Sequence, residues 1–168
     1  MTPIEVAEAL QASGQGMVSM LNGLTQEVAS WHPAQGEWCV NECVGHIVEA
    51  EKRGFGGRIR IILGADDPDL PTWDRTSIAH ARKDCDKNPS ELADELAHVR
   101  GESIGLIRSL KSEQLMRAGN HPEVGRLSVE DLLHEWIYHD GNHYRQALAN
   151  IQAYVWPNMG NAQKFSAG

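Results

Sequence analysis

The stretch that decides the fold is residues 128–151, SVEDLLHEWIYHDGNHYRQALANI. Ser128 opens it as a helix cap, and Leu127 and Leu132 stand where a hydrophobic staple places its apolar pair. Beyond the cap, apolar side chains recur at steps of three and four residues, which is the period of an amphipathic α-helix. The stretch therefore predicts a long helix with one buried face. That face comprises Leu132, Leu133, Trp136, Ile137, Tyr144, Ala147, Leu148 and Ile151.

Three further stretches show the same period, and each begins with a recognisable helix cap. The first follows Thr2, the second runs from about Cys39 to Gly64, and the third follows Asn88. No stretch shows the sustained period-two alternation of a half-buried strand. Four helices of about 20 residues would each span about 30 Å. We therefore predict an all-α fold, a four-helix bundle with long crossover connections.

The chain has the length of one domain, since domains commonly hold roughly 100–200 residues. We expect the bundle over residues 1–155 and an unpatterned C-terminal tail over residues 156–168. The long connections are residues 64–87 and 111–127, and residues 73–85 are predicted to form a short extra helix within the first.

Composition excludes several classes of protein. Fifteen Lys and Arg against 23 Asp and Glu give a formal charge of -8, which disfavours binding to nucleic acid. No apolar run reaches the ~18–20 residues of a membrane span, and the N-terminus lacks a secretory pattern. Three cysteines are an odd number, which argues against a disulfide framework. We expect a cytoplasmic protein that binds neither nucleic acid nor membranes.

Two histidines of the last predicted helix have the spacing of a helical metal site. His139 and His143 are four residues apart, so their side chains lie one turn apart on nearly the same face. Two imidazoles so placed can bind one cation. On a helical wheel they flank the apolar face, whereas His134 points to solvent. The alternative is a pair of surface histidines that arose by chance.

A third ligand would strengthen the prediction, and His46 is the best candidate. It lies in the apolar segment from Cys43 to Val48, where an unpaired imidazole needs a partner. The alternative is a core histidine with a satisfied hydrogen bond. Cys43 is a candidate fourth ligand, although a buried free cysteine usually behaves as a small hydrophobe. Cys39 is expected at the start of the helix rather than in a metal site.

Asp140 falls near the centre of the apolar face of the last helix, where an unpaired carboxylate is costly to bury. It therefore needs a partner, which could be an arginine, the ring N–H of a metal-bound histidine, or water around a cation. We assign it a supporting role beside the metal ligands.

The chain contains two motifs in a defined order, Trp31-x-Pro33-x-x-Gly36-x-Trp38-x-Val40-x-Glu42-x-x-x-His46 and His139-Asp140-x-x-His143-Tyr144-Arg145-Gln146. They resemble the motifs of the DinB-like (DinB/YfiT) family of proposed metalloenzymes, and the resemblance extends over essentially the whole chain. It implies a four-helix bundle in which His46, His139 and His143 hold a divalent metal.

The resemblance also implies a metal, a partner and an activity. The metal would be nickel or zinc, with iron or manganese as alternatives, and the chain would form a homodimer. Relatives include thiol-dependent transferases, so the implied partner is a low-molecular-weight thiol. Three neutral imidazoles leave coordination positions open, as in catalytic zinc sites, and spacing alone allows a hydrolase equally well. A non-catalytic metal-binding stress-response protein is the third interpretation, which a fourth protein ligand would favour.

A transferase would also need cationic side chains to seat an anionic thiol. Arg53, Arg58, Arg60 and Arg145 are available, although most such residues lie on solvated faces. Among the five tryptophans, Trp136 is expected to form part of the pocket wall because it precedes the histidine pair by one turn.

Overall fold

The computed structural model describes residues 1–166 and has the all-α four-helix bundle fold that the periodicity predicts. In chain order its helices are α1 Pro3–Asn22, α2 Gln26–Ala29, α3 Val40–Glu49, α4 Gly56–Gly64, α5 Arg75–Arg82, α6 Pro89–Ser109, α7 Val129–Val155 and α8 Gln163–Ser166. The four helices of the bundle are α1, α6, α7 and the continuous pair α3–α4. Helix α1 packs against α6 and α7, and α3 packs against the same two helices from the other side.

The predicted helix starts are confirmed by their caps. The Thr2 hydroxyl accepts a hydrogen bond from the backbone N–H of Glu5, and Ser128 caps α7 in the same way. Asn88 caps α6. Cys39 is the cap of α3, and its sulfur accepts a hydrogen bond from the Glu42 N–H at 3.5 Å. Each cap satisfies backbone donors that the first helical turn leaves free.

A turn of π-helix, Ala50–Phe55, joins α3 to α4. This wider turn holds one residue more than a regular turn. The side chains of α4 therefore point in a different direction from the one that a continuous α-helix of the same length would give them. Gly57 is required by the turn, because a Cβ there would overlap the carbonyl oxygen of Lys52, five residues earlier. The turn begins four residues after His46 and therefore sets the direction in which the side chains of α4 point relative to that histidine.

The two long connections contain one predicted helix, and also a 3₁₀ turn and a hairpin that the periodicity does not predict. The predicted extra helix within 73–85 is present as α5, and a 3₁₀ turn at Asp84–Asp86 comes after it. The second connection contains an antiparallel hairpin of β1, Ala118–His121, and β2, Gly125–Ser128. Four-residue strands are too short to show a period-two pattern, which is why the sequence did not reveal them.

The first connection contains an acidic run, Asp66-Asp67-Pro68-Asp69, which is bound to this hairpin. The backbone of Asn120 exchanges hydrogen bonds with Pro68 and Leu70, at 2.8 and 2.9 Å. Asp67 forms an ion pair with Arg126. These contacts tie the first connection to the second.

Helix α7 ends at Val155, one residue before the predicted tail. The tail forms short helical turns at Trp156–Asn158 and Gly160–Ala162, and α8 comes after them. Residues 167–168 of the predicted tail lie outside the described residues, and the division into a bundle domain and a tail stays a prediction. Within residues 1–166, none of the helices is both long enough and apolar enough to cross a membrane.

Gly45 is where the 3₁₀ turn approaches α3 most closely, because a Cβ there would overlap the Asp84 carboxylate. That carboxylate is held by Arg82 and Lys87, each at 2.7 Å, so it is not free to move aside. Gly45→Ala is expected to lower the free energy of unfolding by about 1–3 kcal/mol through overpacking, as measured by urea denaturation. Gly101→Ala is the control: its site is open, and alanine is the better helix former. Equal stability of Gly45→Ala and the wild type would contradict the prediction.

Candidate metal centre

Three histidines from two helices that are far apart in the sequence meet where α3 packs against α7. His46 comes from α3, and His139 and His143 come from α7, which packs against it. One ring nitrogen from each lies within 4.8 Å of the others. The Nε2 atoms of His46 and His139 are 3.0 Å apart. A tetrahedral ion with metal–nitrogen bonds of about 2.0–2.1 Å separates its ligand nitrogens by about 3.4 Å, so the spacing is close to that of a metal site.

All three imidazoles are held in the neutral form that binds metals. Burial, together with the neighbouring histidines, lowers the pKa of His46 to about 4 and that of His139 to about 3. Burial also lowers the pKa of His143. Their ring nitrogens therefore present lone pairs at neutral pH.

Hydrogen bonding around the rings also fits a cation. His143 Nδ1–H donates a hydrogen bond to Gln146 Oε1 at 3.1 Å, which leaves the Nε2 lone pair of that ring for a metal. The Nδ1 atom of His139 is buried and has no hydrogen-bond partner among the described residues. Nitrogen donors of this kind suit zinc, nickel and similar divalent ions.

Aromatic rings surround the three histidines. The ring centres of Trp38 and Trp73 lie 4.9 and 5.8 Å from that of His46, and Phe55 lies 5.2 Å from His139. The prediction that Trp136 lines the pocket is wrong. Its side chain is fully buried and stacks on Phe55 at 5.0 Å, one layer behind the wall.

Two cavities adjoin the histidines, with volumes of about 560 and 580 Å³. Both are lined by His46, His139 and Arg75. The first extends toward α5 and the start of α3, and the second extends toward the β-hairpin. A small molecule can therefore approach the histidine nitrogens from two sides.

Of the four arginines considered from the sequence, Arg58 lines one of these cavities. Its Nη2 atom donates to His121 Nε2 at 2.9 Å, while its buried Nε has no partner among residues 1–166. Arg53 instead pairs with Glu49, and the others, Arg60 and Arg145, are exposed.

Arg75 and His121 also line the second cavity, and sequence reasoning did not select either of them. Both lie in connections without a motif, so no local signal marks them. The packing of the connections against the bundle brings them to the site.

A family model described as the DinB superfamily matches residues 9–147. The chain belongs to the DinB superfamily. The family resemblance drawn from the two motifs is thereby confirmed.

This DinB-superfamily chain is 22% identical over 109 residues to YfiT of Bacillus subtilis (strain 168), named as a candidate metal-dependent hydrolase. The match covers 64% of this chain and 61% of YfiT, so the chain spans less than two thirds of that relative. The solved structure of YfiT, described as having an unusual four-helix bundle topology, superposes with a TM-score of 0.77 at 20% identity, covering 92% and 86% of the two chains. A conserved protein from Enterococcus faecalis superposes with a TM-score of 0.71 at 18% identity, covering 92% and 98%. At these identities the likeness establishes the shared fold.

Asp140 of this DinB-superfamily chain has an arginine as its partner. Its Oδ2 atom accepts hydrogen bonds from Arg100 Nη2 at 2.6 Å and from Ser13 Oγ at 3.3 Å. Arg100 Nε donates to Glu51 Oε1 at 2.6 Å, and Ser103 donates to the other oxygen of Glu51 at 2.7 Å. Burial raises the pKa of both carboxyl groups, and Arg100 opposes that rise. The supporting role of Asp140 toward a metal stays a prediction.

The prediction of Cys43 as a fourth ligand is wrong. Its side chain is fully buried in an apolar cluster with Met17, Val44 and Leu96, and it is not part of the histidine group. Burial raises the pKa of its thiol to about 12, as expected for a cysteine that acts as a small core hydrophobe.

Proposed function

We propose that this DinB-superfamily protein is a metal-dependent hydrolase acting on a small molecule that bears an anionic group. The observation that carries the proposal is the convergence of three neutral imidazoles beside two cavities. In residues 1–166 the group contains three protein ligands, and structural zinc sites usually have four. The relative named as a candidate metal-dependent hydrolase supports the same class.

In this proposal His46, His139 and His143 hold a divalent ion, with nickel or zinc expected and iron or manganese as alternatives. An ion of this kind acts as a Lewis acid and makes water or a thiol nucleophilic at neutral pH. Gln146 keeps the proton of His143 on Nδ1 and so keeps the opposite nitrogen available. Trp38 limits the access of water by packing against two of the rings.

The substrate's anionic group would bind to Arg58 and Arg75 in the second cavity, whose lining also includes the carboxylates of Glu123, Asp131 and Glu135. Arg58 and Arg75 both line it, and the Nε–H of Arg58 is a donor without an acceptor among residues 1–166. A carboxylate or phosphate fits such donors, because a guanidinium offers several N–H groups in one plane. These two arginines would orient the substrate so that its reacting bond faces the histidines.

A thiol-dependent S-transferase is the second candidate, and the same two arginines favour it. Small cellular thiols of peptide type carry carboxylates, which Arg58 and Arg75 could bind while the sulfur approaches the histidine nitrogens. In the hydrolase the nucleophile would be water and the arginines would bind the substrate, whereas in the transferase the nucleophile would be the thiol that the arginines bind. The homodimer and the cytoplasmic location are also proposals, taken from the family resemblance and the cysteine content. A non-catalytic stress-response role is less favoured, since two cavities reach the three histidines.

The proposal is tested by assaying protein loaded with zinc, nickel or manganese against esters, amides and phosphoesters. A parallel assay supplies a model electrophile with each of several physiological thiols. We expect metal-dependent turnover of at least one substrate, with loss of the rate in His143→Ala and retention in His134→Ala. Turnover without added thiol supports the hydrolase, and turnover only with thiol supports the transferase. The absence of any metal-dependent rate in both assays would refute an enzymatic role.

A further inference from the structure

A second group of metal-binding side chains lies at the start of α3. It consists of His32, Cys39, Glu42 and Cys85, with one potential ligand atom from each within 4.8 Å of the others. Cys39 is buried, Glu42 and Cys85 are partly buried, and His32 is exposed. Glu42 and Cys85 also line the first cavity beside the three histidines. None of these four residues belongs to the histidine group.

Two distances within the cluster are close to edges of a tetrahedral zinc site. Zinc binds sulfur at about 2.3 Å and nitrogen or oxygen at about 2.0–2.1 Å, so a sulfur and a nitrogen ligand stand about 3.5 Å apart. The Cys85 Sγ to His32 Nε2 distance is 3.6 Å. His32 Nε2 lies 3.1 Å from Glu42 Oε2, slightly inside the roughly 3.3 Å expected for that pair.

Hydrogen bonds to backbone groups hold this part of the chain in place before any ion binds. Glu42 Oε2 accepts a hydrogen bond from the backbone N–H of Cys39 at 2.8 Å. The carbonyl of Cys85 accepts one from Gln26 Nε2, also at 2.8 Å. Asn41 Nδ2 donates to the carbonyls of Asp84 and Lys87, at 3.1 and 3.0 Å, and so holds the chain on either side of Cys85. Hydrogen bonds to the groups that carry metal ligands are typical of functional sites, because they fix ligand orientation.

We propose that His32, Cys39, Glu42 and Cys85 form a second, four-ligand zinc site that fastens the 3₁₀ turn Asp84–Asp86 to the start of α3. Two sulfurs, one imidazole and one carboxylate complete a tetrahedral set, which is the pattern of a structural rather than a catalytic ion. The site is independent of the proposed hydrolase activity. It would hold one wall of the first cavity in position.

A divalent ion would supply the positive charge that two thiolates and one carboxylate need when they share one small volume. A disulfide between Cys39 and Cys85 is the competing state, but it would not account for the position of His32 and Glu42 beside the two sulfurs.

The test is a cobalt(II) titration of reduced, metal-free protein followed by ultraviolet–visible absorption. Thiolate ligation gives a sulfur-to-cobalt charge-transfer band, which the three-histidine site cannot produce. We expect the band in the wild type and in Cys43→Ala, the control that removes a thiol outside the cluster. We expect its loss in Cys39→Ser/Cys85→Ser, in which serine still caps α3. Elemental analysis should show about one zinc per chain fewer in that double variant.

A wild-type titration without the charge-transfer band overturns the proposal, whatever the stability of the variants. Protein purified without reductant could instead contain a Cys39–Cys85 disulfide. If it does, and no band appears after reduction, the proposal is overturned in favour of a redox-active cysteine pair. A band that persists in Cys39→Ser/Cys85→Ser also overturns it. Because the band reports only thiolate ligands, none of these results depends on metal binding at the three histidines.

Discussion

His143→Ala is expected to weaken metal binding by more than about 100-fold, since changes in outer-shell partners alone cost about 10–100-fold. The substitution removes one of the three converging imidazoles and the ring that Gln146 orients. The remaining pair, His46 and His139, would compete poorly with water for the ion. Elemental analysis after dialysis, and titration against a chromophoric chelator, measure the loss. Both are done with Cys39→Ser/Cys85→Ser protein, so that only the histidine site is counted.

The control is His134→Ala, which removes a histidine nine residues earlier on the same helix that is exposed to solvent. It should bind metal as the parent protein does. Circular dichroism should show that His143→Ala and the chelated parent protein both keep their helix content, because a bundle of this size has a core that does not depend on the ion. Metal content in His143→Ala equal to that of His134→Ala would rule out the three-histidine site.

Arg100→Met is expected to lower the free energy of unfolding by about 3–5 kcal/mol, the cost of removing one partner from a buried ionic network. Arg100 is 5% exposed and lies between Glu51 and Asp140, each 1% exposed. Without the guanidinium, two carboxylates are left buried and close together. Native domains are stable by only about 5–15 kcal/mol, so the variant is expected to be marginal. Urea denaturation followed by circular dichroism measures the loss.

Arg108→Met is the matched control, because Arg108 lies on the same helix and makes an exposed ion pair with Glu8. Such pairs contribute about 0–1 kcal/mol. Adding Glu51→Gln and Asp140→Asn to Arg100→Met should recover part of the lost stability, since neutral amides cost less to bury than charges. A loss in Arg100→Met no greater than in Arg108→Met would show that the network contributes little.

The helices could be predicted because their signals are local. A cap such as Thr2 or Ser128 and a run of apolar residues at one period act within a few turns, and the structure agrees with them. The hairpin could not be predicted, because its strands are four residues long and are fixed by pairing with residues beyond them, including the contact of Asn120 with the acidic connection. Tertiary contact, and not local preference, decides that segment.

The candidate site divides in the same way. His139 and His143 are neighbours by helical spacing, so their pairing could be predicted from the sequence, and the apolar segment around His46 together with the family motif indicated the third histidine. For Cys43 the spacing left a fourth ligand and a small core hydrophobe both open, and its place in the apolar cluster decides for the second. The cluster around Cys85 depends on how a connection folds back onto α3, which no periodicity encodes.

The π-helical turn at Ala50–Phe55 has a consequence for how this protein can evolve. The wide turn absorbs one extra residue, so deleting one residue there would give a regular helix and leave the side chains beyond it pointing in nearly the same direction. A regular helix of unchanged length would instead rotate every side chain beyond it by about 100° around the axis and take Arg58 out of its cavity. This stretch of the gene should therefore accept the loss of one codon more readily than a replacement of Gly57, whose added Cβ would overlap Lys52.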